Sequence, residues 1–399
     1  MKNSYTELNE CLACWNTELI QVLDLGNQPL ANSYVKNKGD QEQTYPLVLN
    51  YCRKCTHLQL SVAVNPDLLF RDYLYVSGTS HTLNEYFREF VGLSESYLEH
   101  NNHRVLDIAC NDGTLLNYYQ DVGWDTWGID PSENLYRISA QRHLVELDYL
   151  NWGYAELYKD FFDVVVAQNV MAHNAYPREF LAMCKTMISE TGKIFIQNSQ
   201  GDMVANNEFD TIYHEHLSFY SVESFRTIAR AMGLTIIDIQ RPSVHGNSFL
   251  FVLSKDPNAV EISYFDDLKL NDQVVEDYAI SCLEVAATLK WGLQELKRDG
   301  YRLIGYGAAA KGNTLLNFAG INLDYIVDDN PLKQGLYTPG MQIEIKSPES
   351  LREELGMVCI VPLAWNFFDE IKSKCETLLE NAAEKTFVRY FPKFEKLVD

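Results

Sequence analysis

Two Cys-x-x-Cys pairs constrain the amino-terminal end of this chain more tightly than any other feature. Cys11-Leu12-Ala13-Cys14 comes first, and Cys52-Arg53-Lys54-Cys55 follows. A two-residue gap lets both sulfurs of a pair reach one ion, and two such pairs complete a tetrahedral four-thiolate site. That site is closed. It leaves no coordination position for chemistry, so the zinc it implies is structural, and His57 beside the second pair is not needed as a ligand. Arg53 and Lys54 offset the excess charge of four thiolates around one divalent ion. Residues 19–25 and 47–51 read as strands of a small antiparallel sheet between the pairs. Zinc would anchor residues 1–72, a segment whose own core would be small. The competing readings are two redox-active dithiols or four ordinary buried cysteines. The other cysteines (Cys110, Cys184, Cys282, Cys359 and Cys375) are scattered, and an odd total of 9 argues against a disulfide framework.

With 399 residues the chain has room for two or three domains. Lys and Arg total 33 against 55 Asp and Glu, a formal net charge of -22. Such an excess repels nucleic-acid phosphates and anionic membranes, so neither is an expected partner. A phosphate-bearing ligand would have to be held by local donors. No apolar run of about 18 residues could span a bilayer. The start, Met1-Lys2-Asn3-Ser4-Tyr5-Thr6-Glu7, is polar and lacks a signal core, so a cytoplasmic location is expected.

From residue 104 the pattern changes to strand, turn and helix. Residues 104–109 form a short apolar strand, Cys110-Asn111-Asp112-Gly113-Thr114 a turn, and residues 115–119 a helix. A second strand, 127–130, ends in Asp130, about where a doubly wound fold presents an acid to ribose hydroxyls. The turn has one glycine, Gly113, and carries the acidic Asp112, which would repel a pyrophosphate. A cofactor with a ribose and a cationic sulfonium but no phosphate suits it, and S-adenosylmethionine is such a cofactor. An ordinary acidic turn after a buried strand is the bland alternative. Further strands are expected at 162–169 and 193–198, a helix at 221–232 with Ser221 as N-cap, and an antiparallel closing pair at 234–239 and 248–254. That series fits a seven-stranded Rossmann-like methyltransferase domain at 73–255, with ligands at the carboxyl ends of the strands. Asp107, Asn111, Asp112, Gly113, Asp130 and Asn169 are the expected cofactor contacts.

Between strand 193–198 and helix 221–232 lies Tyr213-His214-Glu215-His216. Moving a methyl from sulfonium to carbon needs a carbon nucleophile, which forms beside a ketone when a base removes the proton and the developing enolate is stabilised. A histidine suits the first task and a tyrosine hydroxyl the second, with Glu215 orienting the imidazole or a sugar hydroxyl. A second metal held by His214 and His216, or a solvated loop, are the alternatives.

The carboxyl-terminal third, 256–399, reads as a helix over 271–297 leading into a doubly wound α/β domain. Strand 301–304 runs into Gly305-Tyr306-Gly307-Ala308-Ala309-Ala310-Lys311-Gly312, and Asp328 ends the strand at 323–327. Alone this is a dinucleotide fingerprint, which makes a zinc-containing NAD-dependent dehydrogenase the second reading. Lys311 at a helix start would equally hold the diphosphate of a sugar nucleotide.

The two knuckles, Tyr73-Leu74-Tyr75-Val76-Ser77-Gly78-Thr79-Ser80, Asn111-Asp112-Gly113-Thr114-Leu115-Leu116, the Tyr213–His216 block and Gly305–Gly312 stand in one order over essentially the whole chain. Together they resemble the zinc-containing sugar C-methyltransferases of branched-chain deoxysugar biosynthesis, and the Tyr-His-Glu-His block is the most specific part. The resemblance implies methylation at carbon 3 of a nucleoside-diphosphate 4-keto-deoxyhexose. It implies that His216 is the general base, that Tyr213 and Glu215 assist at the sugar, and that Tyr75, His173, Ser248, Gly307 and Lys311 contact the substrate. Two departures stand out. Asp107-Ile108-Ala109-Cys110 replaces the usual Glu-Ile-Gly-Ser, and Asn247 in His245-Gly246-Asn247-Ser248 stands where a second glycine is common.

Overall fold

The computed structural model describes residues 4–71, 73, 76–79, 81–99, 102–198, 203–242, 248–264 and 269–398. The chain divides into two compact units. The first comprises Met1–Ile20, Tyr51–Gly201 and Glu215–Leu270, and the second Gln21–Asn50, Asp202–His214 and Asn271–Asp399.

A seven-stranded sheet organises the first unit. Its spatial order is Thr235–Gln240, Phe249–Ser254, Ile188–Asn198, Phe162–Gln168, Arg104–Ile108, Asp125–Ile129 and Leu144–Glu146. The last five run parallel, whereas Phe249–Ser254 is antiparallel to both of its neighbours. Phe162–Gln168 lies in the middle and is covered on both faces, hence its unbroken apolar run; Val164, Val165, Val166 and Ala167 are wholly buried. Its one interior acid, Asp163, accepts from the amides of Asn102 (2.8 Å) and Arg104 (3.1 Å), which ties down the start of the first strand. Ile188–Asn198 begins earlier than the sequence suggests. It pairs with Phe162 at Ile188, bulges, and resumes at Lys193. Gly192 permits the bulge, since a Cβ there would lie 2.7 Å from the Asp163 carbonyl.

Helices cover both faces. His81–Glu95 and Thr114–Asp121 close one apolar layer with Val105, Val166, Phe195 and Val252, while Pro177–Met187 and Val222–Ala231 close the other with Leu106, Val165, Ile196 and Phe251. Ser221 caps its helix as expected, its side chain accepting from the Ser224 amide. The short strand Ser218–Phe219 pairs antiparallel with Leu58–Leu60.

The second unit opens with the long helix Asp272–Arg298, capped by Asn271. Its sheet has the order Ile345–Lys346, Tyr325–Val327, Arg302–Tyr306, Met357–Pro362, Glu384–Arg389 and Glu395–Val398, parallel except for the last strand. Residues 21–50, between the knuckles in sequence, pack in this unit. Asn313 Nδ2 donates to Ala31 O at 2.7 Å, and Val35 bridges to Tyr337. Among the described residues no helix is long and apolar enough to cross a membrane.

Candidate active site and metal centre

The four cysteines of the knuckles converge. Cys11 and Cys55 Sγ are 3.5 Å apart, as are Cys14 and Cys52, and all four sulfurs lie within 4.8 Å of one another. Tetrahedral Zn–S bonds of about 2.3 Å require sulfur separations of roughly 3.8 Å, so the cage fits a zinc ion without rearrangement. Both knuckles turn in the same way. Trp15 and Thr56, each just after the second cysteine of its pair, are left-handed at φ 59° and 58°. Their amides return to Cys11 O and Cys52 O, each at 2.8 Å. His57 is no ligand, because its Nε2 pairs with Ser218 Oγ at 3.1 Å. Arg178 fastens the cage to the sheet domain, donating through Nε and Nη2 to Ala13 O (2.8 and 2.6 Å) and lying 3.9 Å from the Trp15 ring centroid.

At the strand ends a cleft is lined by Ser77, Phe87, Asp107, Ala109, Cys110, Asn111, Thr114, Leu115 and Gln168. The turn after Arg104–Ile108 is built from left-handed residues: Ala109 (φ 57°), Asn111 (φ 54°) and Gly113 (φ 81°). Ala109 occupies such a position with a Cβ, which costs roughly 1–2 kcal/mol relative to a relaxed conformation. Asp107 and Asp130 are both buried. Burial, then the charges of Asp130 and Asp112, holds the Asp107 carboxyl well above the usual carboxylate range, and burial likewise raises Asp130. Asp130 accepts the Asn111 amide (2.9 Å) on one oxygen and the Ser132 amide (2.8 Å) on the other.

Asp112 stands just before the helix Thr114–Asp121. It accepts from Thr114 Oγ1 (2.7 Å), the Thr114 amide (3.2 Å) and the Gly78 amide (3.0 Å), so it caps the following helix and holds segment 77–79 over the turn. Asn111 Oδ1 adds a bond from the Ser77 amide at 3.0 Å. Gly113 and Asn169 shape the backbone; Asn169 is left-handed at φ 57° and donates its amide to Gln197 O at 2.8 Å. Gly113 sits against His143, to which a Cβ would come within 2.9 Å. His143 in turn pairs with Thr126 Oγ1 (2.8 Å) and Asn117 Oδ1 (3.1 Å).

Burial and the Arg142 charge push the His143 pKa down to about 4. The unfolded chain protonates near 6.5 and the folded one only near 4, so the unfolded state binds more protons between these values and stability falls as pH drops through that window. The loss approaches on the order of 2–3 kcal/mol by pH 4. Thermal melts of wild type and His143→Gln from pH 7 to pH 4.5 are expected to converge as the wild type loses this contribution. Parallel curves would exclude it.

Farther along the strand ends, His173 is half-buried and stacks on Phe70 (centroids 5.6 Å, planes 6° apart), with the His216 ring 5.1 Å away on a tilt of 32°. Burial lowers the His173 pKa to about 4, so it is neutral near pH 7 and places no charge beside His216. Leu217, the residue after His216, is held through both of its backbone groups: its amide donates to Ala172 O (2.8 Å) and its carbonyl accepts from the Leu60 amide (3.0 Å). His214 is structural by contrast. It is buried, its Nε2 faces Tyr45 O at 3.3 Å, and among the described residues only the four cysteines group as metal ligands. Glu215 is buried and Tyr213 half-buried. Ser248 is wholly buried and accepts from Gln197 Nε2 at 3.3 Å. Tyr75 and segment 243–247, with His245 and Asn247, lie outside the described residues. Phe70, at the end of helix Asp67–Phe70, and the strand-end residues Gln168, Gln197 and Asn198 were missed by sequence reasoning, because no motif or spacing marks them.

In the second unit the glycine-rich turn is committed to the protein. Gly307, left-handed at φ 87°, donates to Val327 O (2.8 Å), the Ala308 amide to Asp328 Oδ2 (2.7 Å) and the Ala309 amide to Gly307 O (2.9 Å). Asp328 also accepts the Asn330 amide at 2.8 Å and lies 3.5 Å from Lys333 Nζ. Each Asp328 oxygen thus accepts one main-chain amide, the pattern also seen at Asp130, with the Lys333 ammonium added beside Oδ2. Lys311 starts helix Ala310–Ala319, with Glu208 Oε2 at 4.0 Å and the Trp365 ring centroid at 5.1 Å.

The chain matches three family models in succession: a zinc binding domain at residues 11–70, a methyltransferase domain at 80–239 and a C-methyltransferase C-terminal domain at 266–392. It is 26% identical to the C-methyltransferase NovU of Streptomyces niveus over 96% of this chain and 95% of that protein. A ubiquinone biosynthesis O-methyltransferase of Rhodopseudomonas palustris is 31% identical over 22% of this chain and 37% of its own length. Among solved structures, magnesium protoporphyrin IX methyltransferase of Synechocystis aligns at a TM-score of 0.32 and 14% identity, over 43% of this chain and 79% of that one. The methyltransferase fold assignment rests on the strand order and the family models. With a four-cysteine cage, a cleft at the strand ends and these three domains in order, the chain is an S-adenosylmethionine-dependent C-methyltransferase with a zinc-binding domain.

Proposed function

We propose that the acceptor is a nucleoside-diphosphate 4-keto-deoxyhexose, methylated at carbon 3 beside the ketone, and that His216 is the base. The observation that carries this reading is the setting of His216. It is a buried imidazole at the strand ends, packed on the neutral His173 ring, with Leu217 beside it fixed by two main-chain bonds and the buried Glu215 next to it in sequence. S-adenosylmethionine, held around Asp107, Asn111 and Asp130, supplies an electrophilic methyl. His216 takes the proton from the carbon next to the ketone; Tyr213 donates to the oxygen that gains charge, and Glu215 fixes the imidazole or a ring hydroxyl. The first-turn amides of helix Ala310–Ala319 and the Lys311 ammonium are the local donors that a diphosphate needs in a chain of net charge -22.

Hydrogen exchange at the acceptor carbon tests the base. In D2O, with S-adenosylhomocysteine bound and no methyl to transfer, the wild-type enzyme is expected to place deuterium on carbon 3 of the keto-sugar. Exchange confined to carbon 5 would move the reaction to the other side of the ketone, and no exchange at either carbon would remove the enolate.

A further inference from the structure

Asn198, the last residue of Ile188–Asn198, is 1% exposed, yet among the described residues neither Nδ2 nor Oδ1 has a hydrogen-bond partner. Buried amides are almost always paired, because removal from water without replacement bonds costs stability. Its neighbour Gln197 shows what a structural amide looks like here, with Oε1 accepting from Tyr86 OH (2.5 Å) and Nε2 donating to Ser248 Oγ (3.3 Å).

The location of Asn198 narrows what could satisfy it. Side chains alternate along a strand, and Ile194 and Ile196 share an apolar layer with Met171, Ala172 and Tyr220, whereas Phe195 belongs to the opposite layer. Asn198 therefore lies on the face of Met171–His173, the turn against which His216 stacks. The cofactor cleft draws on Arg104–Ile108, the turn after it and Gln168. Ile188–Asn198 stands one strand farther out, on the side away from Asp125–Ile129. An amide there faces the acceptor side of the reaction, and a carbonyl oxygen that becomes an enolate oxygen calls for an N–H donor.

We propose that Asn198 is a catalytic residue that contacts the acceptor. Its Nδ2–H donates to the ketone oxygen as that oxygen takes up negative charge, and its Oδ1 accepts from a hydroxyl or amine on the adjoining ring carbon. Asn198 keeps its proton throughout, and the proton lost from carbon goes to the base. This assignment rests on the enolate reading above.

Asn198→Leu and Asn198→Ala, in the zinc-loaded full chain, test it. Loss of one such donor is expected to lower kcat by roughly 10²–10³-fold and to slow deuterium exchange at the acceptor carbon comparably. Calorimetric affinity for S-adenosylhomocysteine is expected to stay unchanged. The melting temperature of Asn198→Leu is expected to equal or exceed that of wild type, because the unmet amide is gone. A structural asparagine would show the reverse pattern: a lower melting temperature with kcat and exchange intact, which overturns the assignment. If the wild type itself exchanges no hydrogen, the enolate reading fails, and the Asn198 assignment with it. If the wild type exchanges and both variants exchange equally fast, only the role of Asn198 is lost.

Discussion

Replacing His216 with alanine is expected to reduce kcat by roughly 10²–10⁴-fold, the range for removing a positioned general base, while leaving S-adenosylhomocysteine affinity close to wild type. The separation follows from where the groups lie. The cleft is lined by residues of the first strand, its turn, helices His81–Glu95 and Thr114–Asp121, and Gln168, and the His216 ring instead packs on His173 and Phe219. His216 is not one of the four metal-grouped side chains, and its loss is expected to leave the melting temperature little changed. His214→Ala should behave oppositely, lowering the melting temperature because it removes a buried ring seated against Tyr45. Equal kinetic effects from both variants would mean that the segment as a whole, rather than His216, had been disturbed. Rate and melting curves for the pair separate these outcomes.

Loss of zinc is expected to have the second large effect, and a less local one. Structural zinc sites of four thiolates contribute folding free energy outright, apparent values being about 10–16 kcal/mol in isolated zinc-binding peptides. Forfeiting even about 4 kcal/mol would lower the melting temperature by roughly 10 °C in a domain of this size. Cys55→Ser should therefore yield protein without stoichiometric zinc, measured by metal analysis, and with a melting temperature reduced at least that far. The consequence reaches the active site through named contacts. The second knuckle leads through His57, paired with Ser218, into Leu58–Leu60, and Leu60 donates to Leu217 beside His216. Loosening the cage removes one of the two main-chain supports beside the base. A Cys55→Ser protein that kept both its melting temperature and its kcat would show that the cage is dispensable.

Much of this was legible in the chain itself, for physical reasons that differ by element. The knuckles announce themselves because thiolate coordination fixes spacing, and the central strand at 162–168 because burial on both faces demands an unbroken apolar run. Ser221 and Asn271 mark helix starts because their side chains accept from the first-turn amides. The divided roles within the motifs were not legible. Asp112 reads as a cofactor contact, and the fold adds that its oxygens accept from Thr114 and from Gly78, which is 34 residues away in sequence. His214 and His216 look equivalent two positions apart; Tyr45 and His173 make them different, and neither neighbour is close in sequence. Asp328 carries a fingerprint for ribose, and only the fold reveals that Lys333 stands beside it while Ala308 and Asn330 each donate an amide to it. Asn198 carries no sequence signal, since its distinction is a lack of partners. In each case the missing information is tertiary: who sits opposite a side chain, not which side chain it is.

The most direct measurement is turnover with S-adenosylmethionine labelled with carbon-13 at the methyl group and a nucleoside-diphosphate 4-keto-deoxyhexose, followed by carbon NMR of the product. C-methylation at the position beside the ketone predicts a labelled methyl joined to carbon 3, and the same experiment with His216→Ala should give no such signal. A labelled methyl on oxygen, or undiminished labelling by His216→Ala, would contradict an imidazole-generated carbon nucleophile.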